Sequence, residues 1–382
     1  MKNNNLINKI IEALKEQGLE INSKDNSVYN DKKKYKEIQQ HARKEQIYLH
    51  RNFLKSNIRV IKDNLLDVRN LDPRRISLEL REVKSDSIDE ILFRWWNLIW
   101  WSIPYQRAYG RQVRLIIWDN GNNAPFGLIG LQSPILKMSV RDNYLGLKRE
   151  DLDIWVNRSM QAQRLGALPP YNLLIGGKMV AMALVSKELR EIYIEKYKNS
   201  KTELLGRRID PNLLFCTTTS AFGNSSIYNR LKYNQDKLAI SLGYTKGYGS
   251  FQIPESLYKE IQEFLIKNGI NVSTSFGSGP SRKIKLFDIA FRLLKMPSFS
   301  NHNLRREFFI FPLVSNLKEV IHNNEQPNYY DRSLLDMTEF WKERWCLPRA
   351  RKNDDWKSYD LNTFLVKANE EIINSNINGR ST

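Results

Sequence analysis

Apolar residues recur at every third or fourth position in several parts of the chain. The pattern runs through residues 5–16, 32–59, 173–197 and 255–267. This spacing places the apolar side chains on one face of an α-helix. We therefore predict an amphipathic helix in each range, with residues 173–197 forming one long helix. Asn172, just before it, is in the position of an N-cap.

Short runs of β-branched and aromatic residues lie between these helices. Residues 113–118 (VRLIIW) and 125–131 (PFGLIGL) flank Asn120-Gly121, a dipeptide that tolerates the positive φ of a tight turn, so we predict a β-hairpin. Further strands are predicted at 158–165, 212–218 and 238–242. Strands mixed with helices in this way are typical of an α/β or α+β fold built on a central mixed sheet.

Shifts in composition predict three parts of the chain. A basic, helical N-terminal region covers residues 1–73, an α/β core domain covers 74–310, and a helical, basic C-terminal region covers 311–382. Near the start of the core domain, four tryptophans lie close together, at positions 95, 96, 100 and 101. Their helical spacing favours packing in the core, with a base-stacking platform as the alternative.

The charge balance changes the functional picture. Lys and Arg number 60 against 42 for Asp and Glu, which leaves a net charge of +18. Such an excess attracts polyanions, with nucleic acid ahead of an anionic membrane. The chain has no apolar run of the roughly 18 residues that a membrane-spanning helix needs. Because two cysteines are too few for a disulfide framework, we expect a reducing cytoplasm.

Several basic segments are candidates for phosphate contacts. Residues 32–59 begin with Lys32, Lys33, Lys34 and Lys36, which form either a phosphate-binding arm or a solvated helix face. Residues 276–283 (FGSGPSRK) end in Arg282 and Lys283, and the turn amides of such a loop can bind a phosphate. An ordinary loop is the alternative.

Metal and nucleotide motifs are weak. The histidines and cysteines fit no metal-ligand spacing, so we predict no metal and no evident cofactor. Gly176-Gly177-Lys178 lacks the upstream glycine and the following Ser or Thr of a P-loop. We interpret these two glycines as permitting the close approach of another element.

Two acid–base candidates remain, and whether the chain is an enzyme stays open. Arg141-Asp142 forms either a buried ion pair or a catalytic couple. Tyr228 is a candidate general acid if its hydroxyl faces a cleft.

Three segments of the chain, read together, resemble a known family. Residues 166–184, 217–233 and 242–249 are similar, in order and spacing, to the domain family of DruA in the Druantia anti-phage defence system. The resemblance spans roughly residues 90–310. It implies an antiviral defence role beside other Druantia-type proteins, including a large helicase. On the resembling segments we predict a functional face, with Asp142 and Tyr228 as its catalytic residues, that also contains Arg141, Asn172, Lys178, Asn224, Asn229, Arg230 and Lys232. The predicted nucleic-acid-binding residues come from this face and from the basic segments: Lys32, Lys33, Lys34, Lys36, Arg141, Lys178, Arg230, Lys232, Arg282 and Lys283.

A more distant resemblance concerns the order of elements, which is similar to that of GCN5-related N-acyltransferases. That resemblance implies a turn before the long helix whose amides bind the pyrophosphate of acyl-CoA. Here the turn contains Pro169 and Pro170, which have no N–H to donate. Tyr228 falls where those enzymes often place a general-acid tyrosine.

The leading hypothesis is a Druantia component that binds or acts on nucleic acid, with DNA as the first candidate. One alternative is an enzyme of acyltransferase fold that modifies a nucleobase or a protein. The other is a non-catalytic adaptor or a DNA-binding protein of a mobile element, associated with a transposase.

Overall fold

A computed structural model describes most of the chain. The described residues are 2–16, 20–21, 28–29, 32–103, 108, 110–202, 206–208, 210–247, 255–273, 282–296 and 305–374. Within them lies a mixed sheet, as the sequence predicts, and it has seven strands where the sequence analysis names five. Its strands are β1 Leu78–Glu82, β2 Gln112–Asp119, β3 Ala124–Gln132, β4 Ser159–Ala167, β5 Phe215–Thr219, β6 Ile240–Tyr244 and β7 Glu307–Pro312.

The sheet has the strand order β6-β7-β5-β4-β3-β2-β1. Strands β4 and β5 are parallel, and the other neighbouring pairs are antiparallel. The hairpin predicted around Asn120-Gly121 is confirmed as the pair β2–β3. The strands predicted at 158–165, 212–218 and 238–242 are confirmed as β4, β5 and β6, each displaced by one to three residues at its start.

Helices cover both faces of this sheet and fill the connections. They are α1 Lys2–Glu16, α2 Lys32–Leu49, α3 Arg51–Ser56, α4 Ile58–Asp63, α5 Ile88–Ile99, α6 Ser139–Leu145, α7 Leu152–Asn157, α8 Gly176–Met182, α9 Lys187–Tyr197, α10 Ser226–Asn229, α11 Glu255–Lys267, α12 Arg282–Leu293, α13 Leu317–Asn323, α14 Leu334–Trp341, α15 Leu347–Lys352 and α16 Leu361–Ile373. A π-helix, Lys342–Cys346, joins α14 to α15, and short 3-10 turns cover Val68–Asn70, Pro73–Arg75, Tyr171–Leu174 and Ala183–Val185. Two-residue strands pair Glu20–Ile21 with Val28–Tyr29 and Lys232–Tyr233 with Asp236–Lys237.

Alternate residues of each central strand enter different cores. Ile117 of β2 and Phe311 of β7 join α8 and α14 in one core, whereas Ile116 of β2 packs on the opposite face against α5 and α16. Trp95 and Trp96 of α5 are buried there. The core-packing interpretation of these two tryptophans is therefore confirmed. Burying each such side chain contributes about 1.5–3 kcal/mol or more.

Helices α1, α11 and α12 form a separate apolar cluster. Ile10 of α1, Ile261 of α11 and Phe287 of α12 are buried together. The first helix of the chain is thus packed against helices that follow it by more than two hundred residues. The helix predicted at 255–267 is confirmed as α11, with the same bounds.

The prediction of one long helix at 173–197 is wrong. Ile175 adopts the left-handed conformation with φ 61°, which ends the turn before α8. Ser186 is extended, and its Oγ accepts the N–H of Leu189 at 3.2 Å. This N-cap starts α9 as a separate helix. The apolar spacing therefore continues along the sequence although the helix is interrupted.

The helical pattern at 32–59 is also interrupted. Breaks at His50 and Asn57 divide it into α2, α3 and α4. The Nδ2 of Asn57 donates to the carbonyl of Phe53 at 2.8 Å, and such side-chain bonds compete with the regular helix.

Among the described helices, none combines the length and the apolar character that crossing a bilayer demands.

Candidate nucleic-acid interface

The parallel strands β4 and β5 separate before β4 ends. They pair from Ser159 opposite Phe215 to Ala162 opposite Thr218, whereas β4 continues to Ala167 along β3. The remaining part of β4 borders a cavity of about 330 Å³. The cavity is lined by Leu165, Gly166, Ala167, Asn172, Ile175, Gly177, Lys178, Ile227 and Tyr228.

Two glycines allow α8 to approach this cavity. A Cβ on Gly176 would lie 2.7 Å from the carbonyl oxygen of Tyr171 and 2.9 Å from the Cβ of Ala167, so a larger residue does not fit. A Cβ on Gly177 would lie 3.4 Å from the Cδ1 of Ile227. The prediction of close approach is therefore confirmed at Gly176, and Gly177 forms part of the cavity wall.

Asn172 lies in the turn between β4 and α8. The prediction that it caps the following helix is wrong, because Ile175 occupies the N-cap position of α8 and has no side-chain cap. The Oδ1 of Asn172 is buried and has no hydrogen-bond partner among the described residues. That oxygen has almost no accessible surface, so it faces the protein interior and not the open cavity.

Tyr228 reaches the cavity from the short helix α10, which Ser225 begins by accepting the N–H of Tyr228 on its Oγ at 3.3 Å. The Tyr228 ring packs edge-on against Phe309 and Phe311, with centroid distances of 5.2 and 5.8 Å. Its hydroxyl makes no hydrogen bond with any residue that the structure describes. Burial raises the pKa of Tyr228 above that of an exposed tyrosine, so the hydroxyl stays protonated and able to donate.

Glu307 holds this segment in place, and the sequence analysis missed it. The side chain is buried at the start of β7. Its carboxylate accepts the N–H of Ser225 at 3.2 Å, the Nδ2 of Asn229 at 2.9 Å and the Oγ of Ser241 at 2.7 Å. A single Glu before the apolar run FFIF was the only signal in the sequence. Asn229 thus anchors α10, whereas Asn224 is exposed.

Lys178 lines the cavity, and Arg230 and Arg344 lie close enough for their charges to act on it. We call Lys178, Arg230 and Arg344 the cation cluster. The Nζ of Lys178 lies 4.2 Å from the centroid of the Trp345 ring. Burial, and then the charges of Arg230 and Arg344, lower the pKa of Lys178. Arg230 and Arg344 are exposed, and neither forms an ion pair with a described carboxylate.

The π-helix carries both Arg344 and Trp345, and so it brings Arg344 next to the ring on which Lys178 stacks. The sequence analysis placed these residues only within the helical, basic C-terminal region, because a π-helix leaves no pattern in the apolar spacing. Helices of this kind are frequent at functional sites. Nearby, the ring centroids of Tyr233 and Phe340 are 5.1 Å apart, and those of Phe340 and Trp345 are 5.6 Å apart. Lys232, next to Tyr233, is exposed on the same small hairpin.

Arg141 and Asp142 do not line the cavity. Arg141 is 1% exposed. It donates to the carbonyls of Ile135 and Leu136 at 2.8 and 2.7 Å and pairs with Asp142 at 2.6 Å. Asp142 also accepts the N–H of Met138 at 2.8 Å. These contacts tie down the turn before α6 and favour the ion-pair alternative over the catalytic couple.

The basic segments have different positions. Lys33 and Lys36 of α2 are exposed, whereas the side chains of Lys32 and Lys34 lie outside the described residues. The Nζ of Lys36 lies 5.4 Å from the centroid of the Phe222 ring, which belongs to the loop before α10. The basic arm therefore begins beside the segment that carries Tyr228.

Arg282 and Lys283 begin α12 in the separate three-helix cluster. Arg282 is exposed, and the Nζ of Lys283 lies 4.8 Å from the centroid of the Tyr258 ring. The loop predicted to bind phosphate before them falls outside the described residues up to position 281. Neither cation lines the cavity at β4.

A second cavity, of about 680 Å³, has a different charge pattern. In its wall, Arg207 pairs with Asp153 at 2.7 Å and Arg158 pairs with Asp210 at 3.1 Å. Its positive charges are therefore largely compensated, unlike the cation cluster. No group of three His, Cys, Asp or Glu residues in the described ranges is arranged to hold a metal ion.

Comparison with known proteins places these features in a family. A family model described as Druantia protein DruA matches residues 29–323, a range that contains every residue of the cavity wall. The Druantia protein DruA of Escherichia coli (strain UMEA 4076-1) is 34% identical over 301 residues, which cover 77% of this chain and 74% of that protein. No solved structure matches, so the acyltransferase-like order of elements stays a prediction. The resemblance seen in the three segments is confirmed, and the chain belongs to the DruA family of Druantia proteins.

Proposed function

We propose that this chain is a component of the Druantia anti-phage defence system that binds nucleic acid, DNA in the first place, through the cation cluster. We further propose that it acts in the cytoplasm beside other Druantia-type proteins, among them a large helicase. Family membership supports the defence role. The single observation that supports polyanion binding is Lys178 in the cavity wall, stacked on Trp345 next to Arg344 and within the electrostatic reach of Arg230, with no described carboxylate paired to any of the three cations.

Like charges held together repel one another, and an arriving anion relieves that repulsion. A phosphate chain suits the cluster because guanidinium groups donate to two phosphate oxygens at once, whereas an ammonium acts as a point charge. Lys36, beside the loop that precedes α10, extends the positive surface. A nucleic acid bound there would lie next to Tyr228.

The direct test is a titration of labelled DNA, single-stranded and duplex, at two salt concentrations. Because bound phosphates release counterions, we expect the affinity to fall steeply as salt rises. A flat salt dependence would instead favour the adaptor alternative. As a matched control, Lys62→Ala with Lys367→Ala removes two exposed cations from α4 and α16 and should leave the affinity nearly unchanged.

The defence role has its own test. Cells carrying the full set of Druantia genes are challenged with phage, with this chain either intact or carrying Arg230→Ala and Arg344→Ala. We expect the double variant to lose protection while its abundance, measured by immunoblot, stays the same. Full protection by a double variant of normal abundance would show that defence does not require the cation cluster.

A second candidate function is supported by the separation of β4 from β5 at the cavity. A cleft between parallel strands that diverge, with a protonated tyrosine beside it, suits an enzyme that transfers an acyl group to a nucleobase or a protein. Calorimetry with acetyl-CoA tests this candidate. Measurable heat that Gly177→Leu abolishes would support it, whereas the absence of heat with the wild-type chain would count against it.

A further inference from the structure

Helix α15 carries a second basic surface, which lies beyond the end of the family match at residue 323. Residues 342–352 (KERWCLPRARK) contain five cations and one carboxylate, that of Glu343. The side chains of Arg351 and Lys352 are exposed, and neither forms an ion pair with a described carboxylate. The match to the family therefore does not account for this charge, and the cation cluster does not include it.

Contacts with the rest of the protein fix the position of α15. The Nε of Arg349 donates to the carbonyl of Leu173 at 3.4 Å. Trp345, just before the helix, and Ala350 within it both pack against the main core. The helix also packs against the 3-10 turn Pro73–Arg75. The exposed cations of α15 therefore stand on a rigid part of the surface.

The 3-10 turn adds a further cation beside α15. Arg74 pairs with Asp72 at 3.1 Å, whereas Arg75 is exposed and forms no ion pair with a described carboxylate. The β2–β3 turn holds the backbone of Arg75, because Gly121 approaches its carbonyl so closely that a Cβ there would overlap it. We define the basic strip as Arg75, Arg349, Arg351 and Lys352.

The basic strip continues the surface on which Lys178 lies. The π-helix that carries Arg344 and Trp345 runs directly into α15, and the Nζ of Lys178 lies 4.2 Å from the centroid of the Trp345 ring. Positions 344 and 352 are separated by about 12 Å along a helix. One phosphate group cannot contact both ends of that length, whereas a DNA duplex carries about one phosphate for each 1.7 Å of its axis.

The composition of α15 favours one class of polyanion. Its residues LPRARK include no aromatic ring, and single-strand binding surfaces need such rings to stack bases. A helix that binds a membrane surface exposes large apolar side chains beside its cations, and Leu347 of α15 is only partly exposed. Guanidinium and ammonium groups without either feature suit the phosphates of a duplex.

We propose that the basic strip binds the phosphate backbone of duplex DNA, as a continuation of the cation cluster. The ligand class rests on the proposed function, and the strip extends the interface into the C-terminal region. A duplex bound in this way contacts cations from the 3-10 turn, from α8 and from the helical segment 342–352.

The test is the salt dependence of duplex binding by Arg351→Ala with Lys352→Ala. Each lost phosphate contact removes about 0.9 from the slope of log affinity against log salt. We therefore expect a slope less steep by about 1.8 and an affinity about tenfold lower at low salt. The midpoint of thermal unfolding should stay as in the wild-type chain, since both side chains are exposed.

Two controls accompany this variant. Lys62→Ala with Lys367→Ala removes the same number of exposed charges from α4 and α16, which pack on the opposite face of the sheet, and should leave the slope unchanged. Arg351→Lys with Lys352→Arg keeps both charges in the strip and should also keep the slope.

Failure of this inference differs from failure of the proposed function. If the folded Arg351/Lys352 variant has the slope of the wild-type chain, the strip binds no phosphate and the inference is overturned. The cation cluster then still stands, provided that Arg230→Ala with Arg344→Ala makes the slope less steep. If the wild-type chain binds no DNA, the proposed function fails and the inference fails with it.

Two further measurements test the choice of a duplex. A larger loss of affinity for a single strand than for a duplex of equal length would overturn that choice. Vesicles of phosphatidylcholine and phosphatidylserine test the membrane alternative. If the Arg351/Lys352 variant loses vesicle binding and keeps its duplex affinity, the strip contacts lipid and the inference is overturned.

Discussion

Arg141 and Arg230 both lie in parts of the chain that resemble the DruA family, yet the structure uses them differently. Arg141 is buried at 1% exposure, with its guanidinium on two carbonyls and the carboxylate of Asp142. Arg230 is exposed beside Lys178, with no carboxylate among the described residues to pair with it. The first arginine has already used its donors within the protein, whereas the second has its donors available for a ligand. Residue type and family resemblance do not distinguish the two, but burial and partners do.

The largest expected effect is on stability, at the buried pair. Arg141→Ala leaves Asp142 without its cation and removes the donors to Ile135 and Leu136. Loss of one partner from a buried ion pair costs about 3–5 kcal/mol. Denaturant unfolding should show that loss in the free energy of unfolding. If stability stays within about 1 kcal/mol of wild type while DNA binding is lost, Arg141 belongs to the binding surface instead.

The next effect is on binding, at the cation cluster. Arg230→Ala with Arg344→Ala should weaken DNA binding roughly tenfold to a hundredfold, because two charge-assisted contacts are lost. The free energy of unfolding should change by less than about 0.5 kcal/mol, since both side chains are exposed. Titration and unfolding of one preparation measure both quantities. If the Arg230/Arg344 variant is destabilised and its DNA affinity is unchanged, these arginines stabilise the fold and do not bind the ligand.

A smaller effect is expected from pH, through Lys178. Burial and the two arginines lower its pKa, so Lys178 loses its proton below the ordinary lysine value of 10.5. As pH rises through that lowered pKa, the phosphate contact of Lys178 is lost and DNA affinity should fall by up to about fivefold.

Stability should change in the opposite direction over the same range. The folded chain binds this proton less tightly than the unfolded chain does, so the free energy of unfolding gains from Lys178 as pH rises toward 10.5. Lys178→Gln should remove both dependences, and binding curves against pH for the two proteins measure the first. Parallel curves would show that Lys178 does not contact the phosphate.

The smallest effect is expected at the basic arm. Lys33→Ala with Lys36→Ala removes two exposed charges near the loop that carries Phe222. Exposed charges are worth little each, so we expect about a twofold loss of affinity. The loss should be equal on unrelated DNA sequences, because phosphate contacts carry no base information. Unequal losses between sequences would indicate that the arm contacts bases.

Much of the fold follows from local pattern, and most of the site does not. The hairpin β2–β3 and helix α11 are confirmed because apolar spacing and turn residues determine them within a few neighbours. The end of one helix and the start of α9 at Ser186 could not be predicted in this way, since the apolar spacing continues across that residue. The parallel pairing of β4 with β5, which ends before the part of β4 that borders the cavity, depends on residues far apart in the chain.

The same limit applies to the site residues. Tyr228 and Lys178 were predicted from segments resembling the family, and the structure brings them to one cavity. Glu307 and Arg344 were missed as site residues because they come from distant parts of the chain. The position of Asn172 in the cavity wall also depends on tertiary structure, because the sequence pattern placed it at a helix N-cap that the folded chain does not form.

The most direct test of the cation cluster is the slope of log affinity against log salt for duplex DNA. Each phosphate neutralised contributes about −0.9 to that slope. We expect Arg230→Ala with Arg344→Ala to make the slope less steep by about 1.8, and Lys62→Ala with Lys367→Ala to leave it as in the wild-type chain. Equal slopes for the wild-type chain and the Arg230/Arg344 variant would contradict the account, because the two arginines would then bind no phosphate.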